Sequence, residues 1–487
     1  MLTLLLASAF STTEFGLTIG NEPIGGVSYR KIGIYGDFEI WKFGVGIDGV
    51  IHFNQDGIRK EDIDFTRLQT WLNLFRYIRF GHKKMDPFYF RIGILDSETL
   101  GHGLLVRDYN NRSLMEVAQK VRKPGLSLYL DTKFFGFEAL TSSLLPTSWS
   151  EISTVRKVYN AEIPGVTSGT VPIEFVIDKE ISYPDEPLRL IAGRAFFHPL
   201  YWVAPLRKFS IGVSAVVDRK PGYNITEDSD PAYVDGKLLM KEVWNRGGSP
   251  LYGFGADVEL PFDFALLKGY LYSDVAWIVD EDPADFQFSL DSPYRGAAVP
   301  GVMFLLPLGF TFRMEYRDYN DLFRYSLFDY NYETSHPSAE EYSSHMNLTN
   351  VGRRGIFGEL SMESSILEVK GAYERSQAKD LDRASSLGIP ETADYLELRA
   401  SVKKALFEKI KFSDFISNVY EVSAYYVQRD IDWLNFSVAS PSTRYGVRLV
   451  YSLGGARIKS EYNVYYIYEG TVLVPKKEFL FETQIGF

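Results

Sequence analysis

Few residues in this chain have the types and spacing that carry catalysis. Six histidines stand at positions 52, 82, 102, 198, 336 and 345, and there is no cysteine. The missing thiols exclude a disulfide framework, a thiolate metal site and a cysteine nucleophile. His336 and His345 share a polar stretch with Ser338, Ser343 and Ser344, the residue types of a serine hydrolase group. Any hydrophilic loop could hold the same mixture, and neither HExxH nor GxSxG occurs. Asp228, Asp230 and Asp235 offer oxygens to a hard cation, but without EF-hand spacing. The reading of these residues is therefore no catalytic site, no metal and no cofactor.

Fixed charge at alternate positions is the denser chemical pattern. In TFRMEYR, Arg313, Glu315 and Arg317 alternate with Phe312, Met314 and Tyr316; in YLELRASVK, Glu397 and Arg399 alternate with Leu396, Leu398 and Ala400. In TRYGVRLVYSL, Arg444 and Arg448 alternate with Tyr445, Val447 and Leu449, and Arg457, Lys459 and Glu461 follow at the same interval. Successive strand side chains point to opposite faces, so each segment has one charged and one apolar side. Charges lining a narrow aqueous passage would select among small hydrophilic solutes; mutually paired, they would only neutralise a solvated wall. The arginines near Arg444 and Arg448 are the favoured candidates.

A second candidate element is LGHGLLVRDYNNRSLMEVAQK, from Leu100. Two glycines around His102 permit tight backbone geometry, Arg107 and Asp108 supply charge, and a short helical pattern ends the stretch. Folded into a lumen, such a loop would narrow it; a surface loop with a helical turn has the same signature. The connection 145–187, with a strand-like run at 171–177, is the rival constriction.

The elements that must position these residues are strands. Residues are 45% hydrophobic and 15% aromatic, with 32 Tyr and 35 Phe, a composition suited to strands. Alternating segments of about 9–13 residues exceed the ~5–6 usual for soluble strands and suit a tilted bilayer crossing. No stretch of about 18 apolar residues exists for a membrane helix. The net charge of −11, with no basic block, argues against nucleic acid. Reading by alternation gives about twenty strands (range about 18–22). Tight joins are expected at 36–37, 133, 261–262, 306–307 and 454–455. Long polar connections are expected at 52–71, 97–124, 145–187, 219–249, 278–294, 320–353, 377–392 and 429–442. Aromatic residues toward strand ends, including Trp41, Trp277, Tyr316, Tyr319, Tyr466 and Tyr468, are expected to form interfacial girdles. Residues 1–9, an apolar run ending Ala-Ser-Ala, read as a candidate signal peptide, and 10–487 as a single domain.

The last nine residues, FLFETQIGF, place Phe479, Phe481, Ile485 and Phe487 on one face. With the strands before it, this stretch resembles the terminal strand of the bacterial outer-membrane β-barrel superfamily, porin-like members in particular. The resemblance implies an all-β, single antiparallel transmembrane barrel with short periplasmic turns and long outer loops. It further implies outer-membrane lipid around the barrel and recognition of the last strand by the barrel-assembly machinery. Porin-like members commonly form trimers, which makes a homotrimer a candidate assembly. The function expected is a pore for passive diffusion of small hydrophilic solutes. The alternatives are a barrel-borne hydrolase and a structural or adhesive barrel plugged by its loops. The closing strand should lie beside residues 12–20.

Overall fold

The structure, a computed structural model, describes residues 10–486 apart from 25–26, 56, 67, 112–122, 163–169, 228–231, 235–236, 265–266, 280–287, 330–331, 334–350, 411–415, 417, 432–438, 441, 454–455 and 470–471. The candidate signal peptide, Phe487, the His336/His345 stretch and the Asp228/Asp230/Asp235 group lie outside the described residues, as does the helical pattern after Asn111.

Twenty strands form one closed barrel. The first seven are β1 (Phe10–Ile24), β2 (Val27–Ile40), β3 (Phe43–Asn54), β4 (Phe75–Phe80), β5 (Phe88–Gly93), β6 (Gly125–Asp131) and β7 (Phe135–Thr141). The next seven are β8 (Leu190–Phe197), β9 (Ser210–Asp218), β10 (Leu251–Phe264), β11 (Leu267–Val279), β12 (Arg295–Leu305), β13 (Phe310–Tyr319) and β14 (Arg353–Glu363). The last six are β15 (Leu367–Ala378), β16 (Thr392–Lys403), β17 (Val419–Ile431), β18 (Arg444–Leu453), β19 (Ala456–Glu469) and β20 (Val472–Gly486). Each pairs antiparallel with the next, and β20 returns to β1 from Gly16↔Gly486 to Asn21↔Phe481. Closure leaves the barrel no free edge, the condition for strands to cross lipid. No helix among the described residues is long and apolar enough to cross a membrane.

Alternation assigns the two faces. In β13, Met314 and Tyr316 are exposed while Arg313, Glu315 and Arg317 are buried on the opposite side. Val213, Leu271, Ile356, Leu360, Leu398, Val447, Phe479 and Phe481 are likewise exposed, an apolar outer surface fitted to hydrocarbon. Ile485 has the same parity as the two phenylalanines and is half-buried. At the end with the shorter turns, Phe80, Phe88 and Phe90 cluster near Trp41, and Phe262 packs with Phe264 and Phe304. Tyr319 leaves the expected girdle: its hydroxyl turns inward and donates to Glu374 Oε1 at 2.6 Å, as its odd position beside Arg317 requires.

Some joins sit elsewhere than expected. Gly36-Asp37 lies within β2, paired with Ile47 and Gly46, and the turn falls at Trp41-Lys42, where Trp41 adopts φ 54°. Pro261-Phe262 lies within β10, paired with Tyr270 and Gly269. Turn-forming residue types here occupy ladder positions because alternation continues through them. The connections 145–187 and 219–249 are more than loops. Thr147–Glu162 and Thr170–Asp185 form a hairpin, Lys237–Gly247 runs parallel to its second strand, and Gly222–Glu227 and Ala232–Val234 pair with Lys237–Gly247. The result is a separate five-stranded sheet on the loop end of the barrel sequence order. Short and long connections alternate less strictly than expected: 25–26 and 470–471 are short, and 404–418, at the turn end, begins with the helix Lys404–Ile410.

Candidate functional site

The principal apolar core lies between the inner wall and two loop segments, 94–111 and 320–329 with 332–333. Leu95, Leu100, Leu104, Leu105, Val106 and Tyr109 pack with Phe323, Leu327, Phe328 and Tyr332 against Leu140, Leu190, Val216, Leu251 and Ile278 of β7–β11. The segments hold each other through backbone bonds: Ser326 N donates to Leu104 O (2.9 Å), Phe328 N to Leu105 O (3.2 Å), and Arg107 N to Phe328 O (3.1 Å). Together they form a two-part plug on the lumen face. The first part is a compact loop closed by reciprocal Glu98–Tyr109 backbone bonds of 2.7 and 2.9 Å, with Gly101 and Gly103 at φ 55° and 89°, a region costly for other residues.

Charged side chains tie the plug to the wall. His102 sits between two carboxylates, Nδ1 on Asp274 Oδ1 (2.9 Å) and Nε2 on Glu259 Oε2 (2.8 Å), and stacks on Tyr272 at 3.9 Å. A ring with both nitrogens facing carboxylates is protonated on both. Burial opposes that charge, but Asp274 and Glu259 outweigh it and raise the His102 pKa to about 9. Arg107 pairs with Glu359, and Asp108 accepts from Lys370 at 2.8 Å and from Ser97 Oγ at 2.7 Å. At the loop end, Glu333 accepts from Arg189, from Tyr109 Oη (2.8 Å) and from Lys123 Nζ (3.0 Å), with its side chain wholly buried.

The expected lumen charges fall into two groups. Beneath the plug, Glu315 accepts from Arg313 Nε (2.7 Å), Arg317 Nε (2.8 Å), Tyr272 Oη (2.6 Å) and Tyr325 Oη (3.0 Å). The Arg317 guanidinium stands 3.5 Å from the Tyr325 ring centre. Glu315, Arg317 and Arg313 side chains are 0%, 2% and 10% exposed. Glu397, also buried, accepts from Tyr395 Oη (2.7 Å) and pairs with Arg399 Nε (2.7 Å). By contrast, the Arg399 and Arg448 side chains are 47% and 42% exposed. Arg448 Nε donates to Glu461 Oε2 at 2.9 Å, Lys459 Nζ lies 3.3 Å from the same oxygen, and Arg457 rests 3.8 Å from the Tyr420 ring. Arg444, Arg457, Lys459 and Glu461 are half-buried. The plug thus packs on β7–β15 and reaches β17 through Asp329–Arg429 at 2.5 Å, and solvent reaches the charged side chains of Arg399 and Arg448 on β16 and β18.

His102, Asp257 and Asp274 place possible ligand atoms within 4.8 Å of one another. Both His102 nitrogens already face carboxylates, and both Asp257 oxygens accept from Arg194, at 2.8 and 2.5 Å. The donors are thus engaged in ion pairs, and a metal would have to displace a proton and a guanidinium. The part of the site not anticipated from sequence is the second plug segment. Its signal was the run LFRYSLF at 322–328, apolar at intervals inside an otherwise polar connection.

No protein-family model matches the chain, and no curated protein does. Among solved structures, the chain is similar to the translocation pore of the P pilus usher PapC, at 9% identity and TM-score 0.27, covering 97% of this chain and 99% of that one. It is similar to Acinetobacter baumannii OccAB3, at 11% identity and TM-score 0.30, covering 98% and 99%. It is also similar to Pseudomonas aeruginosa OpdK, solved with vanillate, at 8% identity and TM-score 0.31, covering 98% of each. The fold assignment rests on the closed twenty-strand ladder itself.

Proposed function

We propose that this protein is a channel of the bacterial outer membrane through which small hydrophilic solutes diffuse. The carrying observation is the asymmetry of the lumen: most bonds of the plug go to β7–β15, with Asp329–Arg429 as a tie to β17, while Arg399 on β16 and Arg448 on β18 stay open to solvent. A barrel of this strand number encloses an aqueous channel unless it is filled, and the plug fills one side. The passage runs along β16–β19, narrowed by residues 98–109, with the long loops facing the medium and the turns facing the periplasm. The outer apolar surface contacts lipid, and the β1/β20 seam is the closure that the assembly machinery completes.

Single-channel recording of the purified protein in a planar bilayer tests this reading. Discrete current steps are expected. Silence from a protein that shows heat-modifiable mobility would reject the channel and leave the plugged structural barrel in its place.

A further inference from the structure

We propose that the outer wall of β7–β10 carries a site for one anionic phospholipid, its phosphate held at the turn end and one acyl chain in a trough farther along the strands. The site does not depend on the channel reading. It has two separate parts on the same arc, one of charge and one of shape.

The charge lies in two turns. The β6–β7 turn, 132–134, and the β8–β9 connection, 198–209, together hold Lys133, Arg207 and Lys208 and no carboxylate. Contacts join them into one surface. His198 N donates to Phe134 O at 2.8 Å, the Phe134 ring stands 5.4 Å from Tyr201 and 5.7 Å from Trp202, and the helical turn Ala204–Leu206 packs on β10. All three cations are exposed, and none forms a salt bridge among the described residues. The carboxylates around them are engaged elsewhere. Asp131 meets His198 Nε2 (3.2 Å), Asp86 pairs with Lys42 (2.5 Å), Asp263 pairs with Lys268 (3.1 Å), and Glu259 holds His102 (2.8 Å). Trp202 is 72% exposed, and Trp and Tyr rings favour headgroup depth. Lysine and arginine at that depth reach lipid phosphates while their stems lie along apolar surface.

The shape lies on the lipid-facing side of the strands. Outward positions are small in two consecutive rows: Ala195, Val213 and Ala256 in one, Ala139, Gly193 and Ala215 in the next. Aromatic rings frame them. Phe137 ends the first row on β7, Phe254 and Trp277 end the second on β10 and β11, and Phe288 stands 5.5 and 5.4 Å from the latter two rings. The result is an apolar trough of about 560 Å³. From His198 to Ala195 and from Phe209 to Val213 is about 10–14 Å along the strands, within the ~15 Å half-thickness of the hydrocarbon layer. A chain whose headgroup rests on the turns therefore enters the trough at mid-length. Phe135 and Phe197, exposed in the row between, give its first carbons a surface to lie on.

A second copy fits this arc poorly. An isologous contact sets a patch against itself, which would face trough to trough and bring the cations together with no free carboxylate between them. A phospholipid complements both parts, with phosphate for the cations and a chain for the trough.

Native mass spectrometry of the delipidated full-length protein in detergent tests the assignment, with dipalmitoyl phosphatidylglycerol as the probe. One bound lipid is expected. It should be retained several-fold better than dipalmitoyl phosphatidylcholine, and better than dihexanoyl phosphatidylglycerol, whose chains are too short for the trough. Lys133→Gln with Arg207→Gln and Lys208→Gln should remove the headgroup preference. Ala195→Leu with Ala215→Leu should remove the chain-length preference. Heat-modifiable mobility checks that each variant has formed its barrel. Equal retention of the three lipids by the unaltered protein, or a preference unmoved by its own variant, overturns the site. A dimer forming in place of the bound lipid overturns it too and assigns the arc to a second copy. Silence in bilayer recording would reject the channel and leave this site standing.

Discussion

His102 and Glu333 hold the same plug by different electrostatics. His102 is a conditional tie, because its charge depends on pH. Its folded pKa of about 9 stands above the ordinary 6.5, so its contribution is complete below pH ~6.5 and is lost as pH rises through about 9, a difference on the order of 3 kcal/mol. Hydrogen exchange of segment 98–109 should therefore quicken between pH 7 and 10 beyond the intrinsic base dependence. In His102→Gln that extra acceleration should vanish; if it persists, the tie lies elsewhere. Glu333 is a permanent tie, a wholly buried carboxylate opposite Arg189 and Lys123. Glu333→Gln leaves those cations undercompensated and is expected to loosen the plug by about 3–5 kcal/mol, read as faster proteolysis within 320–333 with unchanged heat-modifiable mobility. At this scale the sequence indicated which positions carry charge and which share a face. It could not indicate that Arg313, Glu315 and Arg317 would lie under a cover, because Tyr325 and His102, which cover them, are distant in the chain.

Among the elements, strands were legible and their joins less so. Lipid outside and water or polar groups inside impose alternation on every crossing, so each barrel strand announces itself locally. A turn has a weaker demand, which is why Gly36-Asp37 resembled one while standing in mid-strand. Of the five-stranded sheet only the run at 171–177 was legible; its other strands lie in long connections whose apolar residues are interrupted by polar ones. Of the plug, the half containing His102, Arg107 and Asp108 had a local signature; the half from 320 to 333 was hidden by its place in a long loop. Replacing residues 98–108 with a short Gly/Ser linker tests the plug as a unit. The single-channel step is expected to grow severalfold as Arg313, Glu315 and Arg317 become exposed to solvent. A step of unchanged size would mean that this segment does not limit the passage.

For the whole molecule, closure is the decisive property, and it rests on close backbone approach. A Cβ added at Gly16 would stand 2.3 Å from the Ile485 carbonyl oxygen across the β1/β20 seam. One added at Gly358 on the outer face of β14 meets nothing within 4 Å. Gly16→Val should therefore abolish the heat-modifiable barrel or reduce its yield severely, and Gly358→Val should be tolerated, as compared by gel mobility before and after boiling. Equal yields would argue that the seam is not essential. The plug adds a constraint of timing. Leu104 must wait for Ser326, made more than two hundred residues later, yet its place is inside a cylinder sealed by the first and last strands. During synthesis residues 94–111 therefore spend most of the chain's elongation without the partner that buries them. Maturation must then join the two halves before the seam shuts, or admit them afterwards from the loop end.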